Sequence, residues 1–275
     1  MTILDRILPD VHRELEEARA AVPLGEMEHR AAIARPPHDF AAALAAPGFG
    51  LISEVKRRSP SVGSMRAENV AEAPAAYAAC PIVCAISVLT NQTHFGGGME
   101  DLEAIARPSA KPVLRKDFII DPYQIFAARA AGADAILLMA NVLGESELRD
   151  FHALALKLGM EALFEVHEPE EIAMLPSTAR IVGINSRKFR SHDGFVAAGE
   201  NADKDFTLDY SAFELADSLP SGCLRVAESG ISPATIASVV PHFDAALIGT
   251  SLLRDPRGLG AALGDFASAL AGSVH

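Results

Sequence analysis

The residues most able to do chemistry stand at the ends of short apolar runs. Glu54 and Lys56 close the first of them, in L-I-S-E-V-K-R-R-S-P-S-V-G-S over Leu51 to Ser64. Leu51, Ser53 and Val55 alternate there with Ile52, Glu54 and Lys56, the period of two that a strand requires. On a strand, Glu54 and Lys56 share a face and lie about 7 Å apart at roughly 3.3 Å per residue. A carboxylate beside an ammonium, followed by the polar Ser59-Pro60-Ser61 turn, reads as part of an active site. The plain alternative is a solvated salt bridge on an edge strand.

Other runs end in the same way. The third closes on Arg115-Lys116-Asp117, the fifth on Glu165 and His167, and the sixth on Asn185 and then Arg187. The seventh closes on Glu228-Ser229-Gly230-Ile231 and the eighth on Gly249-Thr250-Ser251. Polar side chains on a buried strand are expensive unless something uses or pairs them. Ser229-Gly230 and Gly249-Thr250, with Ser59 nearby, have the makings of a phosphate cradle, since glycine lets backbone N–H groups approach an anion and hydroxyls add donors. Two ordinary helix caps are the simpler reading of the same residues.

The elements that must position these groups are legible as a rhythm. The runs are Leu51–Lys56, Ile82–Leu89, Pro112–Lys116, Asp134–Met139, Met160–Val166, Arg180–Asn185, Leu224–Glu228 and Asp244–Gly249. Between them lie segments such as Pro122–Ala131 and Glu145–Leu158, with apolar residues at helical spacing. Strands alternating with helices give parallel βαβ units, and eight of them predict a closed α/β barrel of the (β/α)8 TIM type. In such a barrel the chemistry belongs at the carboxyl ends of the strands, where these polar residues stand. A doubly wound open sheet is the alternative, but neither G-x-G-x-x-G nor a P-loop occurs. Before the barrel, residues 1–48 carry Ile3, Leu4, Ile7, Leu8 and Val11 at helical spacing. They predict a helical extension packed outside the main body, so that 1–275 form a single domain with its barrel over 49–275.

Composition bounds the partners. With 24 basic and 36 acidic residues the net charge is -12, and no basic tract appears, which argues against nucleic acid and anionic membrane. An anionic ligand must therefore find a local pocket of positive charge. No apolar run reaches the roughly 18 residues of a membrane span, and the N-terminus lacks a signal-peptide core. Cys80, Cys84 and Cys223 form no C-x-x-C and are odd in number, as expected of buried reduced thiols in a cytoplasmic protein. Neither HExxH nor a Cys/His ligand spacing occurs, so neither metal nor cofactor is expected. The expected assembly is a monomer.

The motifs, in order, resemble the indole-3-glycerol phosphate synthase family. They are S-E-V-K-R-R-S-P-S-x-G, L-T-x-x-x-H-F-G-G-G at Leu89–Gly98, V-L-R-K-D-F-I-I-D at Val113–Asp121, and G-A-D-A-I-L-L at Gly132–Leu138. F-E-V-H at Phe164–His167, G-I-N-S-R at Gly183–Arg187, E-S-G-I at Glu228–Ile231 and L-I-G-T-S-L-L at Leu247–Leu253 follow. The resemblance implies closure of the indole ring in tryptophan biosynthesis, from 1-(2-carboxyphenylamino)-1-deoxyribulose 5-phosphate. It implies Lys116 as general acid, Lys56 on the substrate carboxylate and in dehydration, and Glu54 and Glu165 in proton removal. Asn185 would orient a lysine or a substrate hydroxyl, Arg187 would meet the carboxylate, and Glu228 would bind sugar hydroxyls. Phe95 and Phe118 would form a slot for the aromatic ring, and Ser59, Ser229, Gly230, Gly249 and Thr250 would hold the phosphate.

For single residues plainer roles are also expected. Lys116 has Asp117 as a ready ion-pair partner, Phe95 suits the core, and His167 reads as a satisfied histidine rather than an acid. His94 reads as loop surface and Gly96-Gly97-Gly98 as a flexible loop. Three features depart from the family's usual pattern: Ser186 stands in place of a second Asn, Val62 in place of a common Lys, and the segment 188–207 is longer, with the character of a lid or specificity element. A paralogue acting on a related phosphorylated amino-sugar adduct and a non-catalytic phosphometabolite-binding barrel are the competing functions.

Overall fold

Each apolar run is a strand, to within one residue at either end. The computed structural model describes residues 3–187 and 208–272; the segment 188–207 lies outside them. Three helices come first: α1 (Ile3–Ala21), α2 (Leu24–Ala32) and α3 (Phe40–Leu44). The barrel begins with β1 (Gly50–Val55), a small hairpin of β2 (Arg58–Ser59) and β3 (Gly63–Ser64), α4 (Ala67–Ala79) and β4 (Val83–Leu89). It continues through α5 (Gln92–Phe95), α6 (Met99–Ala106), β5 (Val113–Lys116), α7 (Pro122–Ala130), β6 (Ala135–Met139) and α8 (Glu145–Lys157). Then come β7 (Glu161–Val166), α9 (Pro169–Ile172), β8 (Ile181–Asn185), a 3-10 helix at Tyr210–Ser218 and β9 (Leu224–Glu228). It ends with α10 (Ile236–Val239), β10 (Ala245–Ile248), α11 (Thr250–Leu253) and α12 (Leu259–Gly272). The ring closes in the order β1-β10-β9-β8-β7-β6-β5-β4, with every neighbouring pair parallel.

Closure removes the edge on which Glu54 and Lys56 might have formed a solvated pair: Glu54 is 3% exposed. The β2–β3 hairpin is an addition to the expected picture, since Ser59-Pro60-Ser61 reads from sequence only as a turn.

Side-chain alternation divides the strands into two faces. Leu51, Ile86, Ile136, Phe164, Val182 and Ile248 face the surrounding helices in one cluster. Ile52, Ala85, Leu114, Leu137, Leu163 and Val226 fill the interior in another. The N-terminal helices do lie outside the ring of strands, but they are not peripheral to its core: Ile3, Leu4, Ile7, Val11, Phe40 and Leu44 join the interior cluster. Polar contacts pin them as well. Tyr123 Oη donates to the carbonyls of Ala18 (2.9 Å) and Val22 (2.8 Å), and Arg19 pairs with Asp121 at 2.7 Å.

The tightest of these ties is at Asp134, which is fully buried. It accepts from Arg35 at 2.9 and 3.0 Å, from the His38 N–H at 2.7 Å and from the Val113 N–H at 2.8 Å. One carboxylate thus joins the extension to the start of β5. Among the described residues no helix is long and apolar enough to cross a membrane. The three cysteines are free and half-buried, somewhat more open than expected.

Asp134→Ala strands the Arg35 guanidinium and two backbone donors, and is expected to lower unfolding free energy by about 3–5 kcal/mol. Urea titration checks it; the folded fraction should keep its activity, because Asp134 is remote from the polar strand ends.

Candidate active site

The interior positions change character towards the carboxyl ends of the strands. Above the apolar layers stand Glu54 on β1, Lys116 on β5, Glu165 on β7 and Glu228 on β9. These are alternate strands of the ring, the arrangement by which a barrel builds one layer from four side chains. The strands between must make room. A Cβ on Gly183 of β8 would sit 2.1 Å from Glu228 Oε1, and one on Gly249, just past β10, 2.3 Å from Glu54 Oε1. Gly249, expected as a phosphate donor, therefore also admits a carboxylate, and Gly183 belongs to the site although no polar side chain marks it.

Lys116 Nζ donates to Glu165 Oε2 at 2.9 Å and to Glu228 Oε2 at 3.1 Å. Asp117 is not its partner. Alternation turns Asp117 to the other face, where it accepts from Arg115 Nη2 (2.8 Å), Thr90 Oγ1 (2.6 Å) and the Phe118 N–H (2.9 Å). That outward network fixes the end of β5 and so aims Lys116 inward. Lys56 pairs with Glu54 at 2.5 Å.

Burial and charge set the protonation states. Burial acts to depress the Lys116 ammonium, but Glu165, Glu228 and Glu54 outweigh it and raise its pKa. Burial acts to raise Glu165, and Lys116 with His167 overcome it, holding this carboxylate below its usual range. Burial raises Glu228, and the like charge of Glu165 adds to it, so that the net shift stays upward against the opposing pull of Lys116. The pair is thus split into one ionised and one proton-retaining carboxyl. His167 Nε2 lies 3.4 Å from Glu165 Oε1 and its Nδ1 3.5 Å from Glu171 Oε2, close enough for charge to act between them.

Over this layer opens a cavity of about 270 Å³. It gathers all fourteen of the expected residues: Glu54, Lys56, Ser59, Phe95, Lys116, Phe118, Glu165, Asn185, Arg187, Glu228, Ser229, Gly230, Gly249 and Thr250. Phe95 and Phe118 face one another with ring centroids 6.4 Å apart at 36°, so Phe95 is a wall of the cavity as well as a packed residue. Asn185 Oδ1 accepts from the Arg187 N–H at 3.0 Å, and burial pushes the Arg187 guanidinium below its usual pKa. Ser59 Oγ lies 2.8 Å from Ser61 Oγ, and both line the cavity.

Sequence reading missed several lining residues. Leu137 and Met139 were findable, as inward positions of a strand already identified. Leu208 was not, because it follows the long 188–207 segment and enters the cavity by pairing with Arg187. Two loop expectations are corrected. His94 is not surface: its Nε2 lies 2.9 Å from Asp10 of α1 and its side chain is 18% exposed. Nor is the glycine run loose. A Cβ on Gly97 would meet the Leu89 carbonyl oxygen at 2.2 Å, and the Gly98 N–H donates to Asp101 at 3.0 Å.

Fold and site together define a (β/α)8 barrel with a buried layer of one lysine and three carboxylates beneath a partly aromatic mouth. The indole-3-glycerol phosphate synthase family model matches residues 4–259. The indole-3-glycerol phosphate synthase of Saccharopolyspora erythraea is 39% identical over 92% of this chain and 90% of its own. That of Mycobacterium bovis is 39% identical over 98% and 94%. Among solved structures, 3-hexulose-6-phosphate synthase from Salmonella typhimurium superposes with a TM-score of 0.60 at 14% identity, over 82% of this chain and 100% of that one, a likeness of fold alone. The chain belongs to the indole-3-glycerol phosphate synthase family, and is thereby a carboxy-lyase of tryptophan biosynthesis.

The split carboxylates give a test. A carboxyl whose folded pKa is raised binds its proton more tightly in the folded chain, so it costs stability as pH rises from the unfolded value through the folded one. For Glu228 that window runs from about 4.5 to about 8. Glu228→Gln, which cannot ionise, is expected to gain in Tm relative to the parent across that window. Parallel Tm profiles for the two would contradict the assignment.

Proposed function

We propose that the chain converts 1-(2-carboxyphenylamino)-1-deoxyribulose 5-phosphate into indole-3-glycerol phosphate, carbon dioxide and water, with Lys116 as general acid. The observation that carries this reading is the Lys116 ammonium, buried between Glu165 and Glu228 at the floor of the cavity. The substrate's aniline nitrogen pushes electrons into its ring. The ring carbon that bears the carboxylate then bonds to the ribulose carbonyl carbon, and the carbonyl oxygen takes a proton from Lys116 Nζ. Carbon dioxide leaves and returns its bonding pair to the ring. The new hydroxyl departs as water, and loss of a proton from the carbon beside nitrogen completes the indole.

The remaining roles are those the family resemblance implies, and the position of these residues around one cavity supports them. Lys56 and Arg187 supply positive charge for the substrate carboxylate, and Lys56 assists dehydration. Glu165 and Glu54 take up protons and stabilise the cationic intermediates; Glu165, held ionised, is suited to the first task. Glu228, which retains its proton more readily, can both donate to and accept from sugar hydroxyls. Asn185 orients the substrate between Lys116 and Arg187. Phe95 and Phe118 offer flat apolar walls to a flat ring. Ser59, Ser229, Gly230, Gly249 and Thr250 cradle the phosphate at the rim. Lys56, Lys116 and Arg187 give a net-acidic chain the local positive charge that an anion needs.

We also assign the chain as a cytoplasmic monomer. The free cysteines support the compartment. Among the described residues the large apolar side chains exposed away from the cavity mouth, Leu24, Ile33 and Leu156, do not run together along the chain, which supports the monomer.

Purified protein is expected to generate indole fluorescence from the carboxyphenylamino substrate. Lys116→Ala should lower kcat by about 10² to 10⁴, with the folded circular dichroism spectrum and phosphate affinity kept even though the melt falls as two buried carboxylates lose their partner. Tight binding without turnover in the parent would favour a binding barrel instead. Loss of folding in both Lys116→Ala and Lys116→Met would make the lysine structural.

A further inference from the structure

The turn after β9 is held in an unfavourable conformation. Ser229 has φ 70° and Gly230 φ 68°, and Ser229 is the one non-glycine residue with positive φ among those described. An L residue keeps left-handed backbone only where its surroundings enforce it. Here the enforcement comes from the chain that follows β8. Ser186, fully buried, donates its N–H to the Glu228 carbonyl at 3.0 Å and its Oγ to the Ser229 carbonyl at 3.1 Å. Tyr210 Oη donates to the Gly230 carbonyl at 2.8 Å. Ser186 and Tyr210 are themselves tied together: the Ser186 carbonyl accepts from the Asp209 N–H at 2.8 Å, and Arg187 pairs with Leu208 as an antiparallel bridge. Three successive carbonyls, those of residues 228 to 230, are therefore gripped by one unit.

The consequence lies on the other side of each peptide. In a trans peptide the N–H points away from the carbonyl that precedes it, and no peptide bond here is cis. Drawing the Ser229 and Gly230 carbonyls towards Ser186 and Tyr210 turns the N–H groups of Gly230 and Ile231 the opposite way. Among the described residues neither N–H donates to a protein acceptor. Ser229, Gly230 and Ile231 all line the cavity. Gly230 is also where Tyr210 needs space, since a Cβ there would lie 3.0 Å from Tyr210 Oη and 2.8 Å from Leu208 Cδ1.

We infer that Ser186 and Tyr210 are positioning residues that lock the 229–230 turn so that the Gly230 and Ile231 N–H groups face the substrate's phosphate. The inference rests on the phosphate site proposed above. Neither side chain meets the phosphate itself. They set the affinity of the rim, and the acid-base layer below is indifferent to them.

Tyr210→Phe deletes one hydroxyl from an exposed ring and threatens the fold least; Ser186→Ala is the second variant. Inorganic phosphate is the probe, titrated against turnover by the full-length chain. It should compete with substrate in the parent. In each variant the phosphate Ki and the substrate KM should rise together by about threefold to tenfold, the loss expected of one hydrogen bond, with kcat barely changed. Inhibition by the substrate's dephosphorylated analogue should be the same in all three proteins, which a general loosening of the mouth would not allow. A parent that phosphate does not inhibit competitively overturns the phosphate site, and this inference with it. Competitive inhibition with an unchanged Ki in both variants overturns the positioning role alone, as does a fall in kcat at constant phosphate Ki.

Discussion

An ammonium and three carboxylates share one buried layer, and the rest of the molecule is arranged around that fact. Lys116 alone in a protein interior would lose its proton, and Glu165 and Glu228 alone would gain theirs. Together they hold one another in a mixed state, with Lys116 charged, Glu165 ionised and Glu228 poised to retain a proton. The hydrogen bonds of 2.9 and 3.1 Å exist only because β5, β7 and β9 are alternate staves of a closed ring. An open sheet would set these residues side by side along a surface; closure turns them towards a common axis and excludes water from among them.

That constraint explains features with no catalytic residue in them. Gly183 on β8 and Gly249 just past β10 stand between the charged strands, and their lack of a side chain is what lets Glu228 and Glu54 fit. Arg115, Thr90 and Asp117 form their own buried network on the outer face of β5, which keeps Asp117 away from Lys116. The N-terminal helices belong to the same economy. Their apolar side chains complete the interior cluster, and Asp10 and Glu14 of α1 hold His94 and Thr93 at the base of the segment that carries Phe95.

Much of this was legible beforehand, and for a definite reason. Eight strands could be delimited to a residue because alternation and helical spacing are properties of neighbouring residues. Residues at strand ends could be nominated because a polar group on an otherwise apolar strand has no cheap explanation. Asp117, weighed only as the plainer partner for the neighbouring Lys116, faces the other way. Where the reading went wrong, residues distant in the chain were the cause. His94 looks like loop surface until α1, more than eighty residues away, brings Asp10 to it. Gly96-Gly97-Gly98 looks slack, but Gly97 is there because the Leu89 carbonyl leaves it no room.

Sequence by itself determined the elements, their order, and a short roster of groups with chemical capacity, because periodicity and side-chain type are local. Tertiary structure alone decided which of those groups meet, which keep a proton, and which stretch of backbone turns its N–H groups into the mouth. Those outcomes depend on distances and dielectric between residues far apart in the chain, and only closure of the ring sets them.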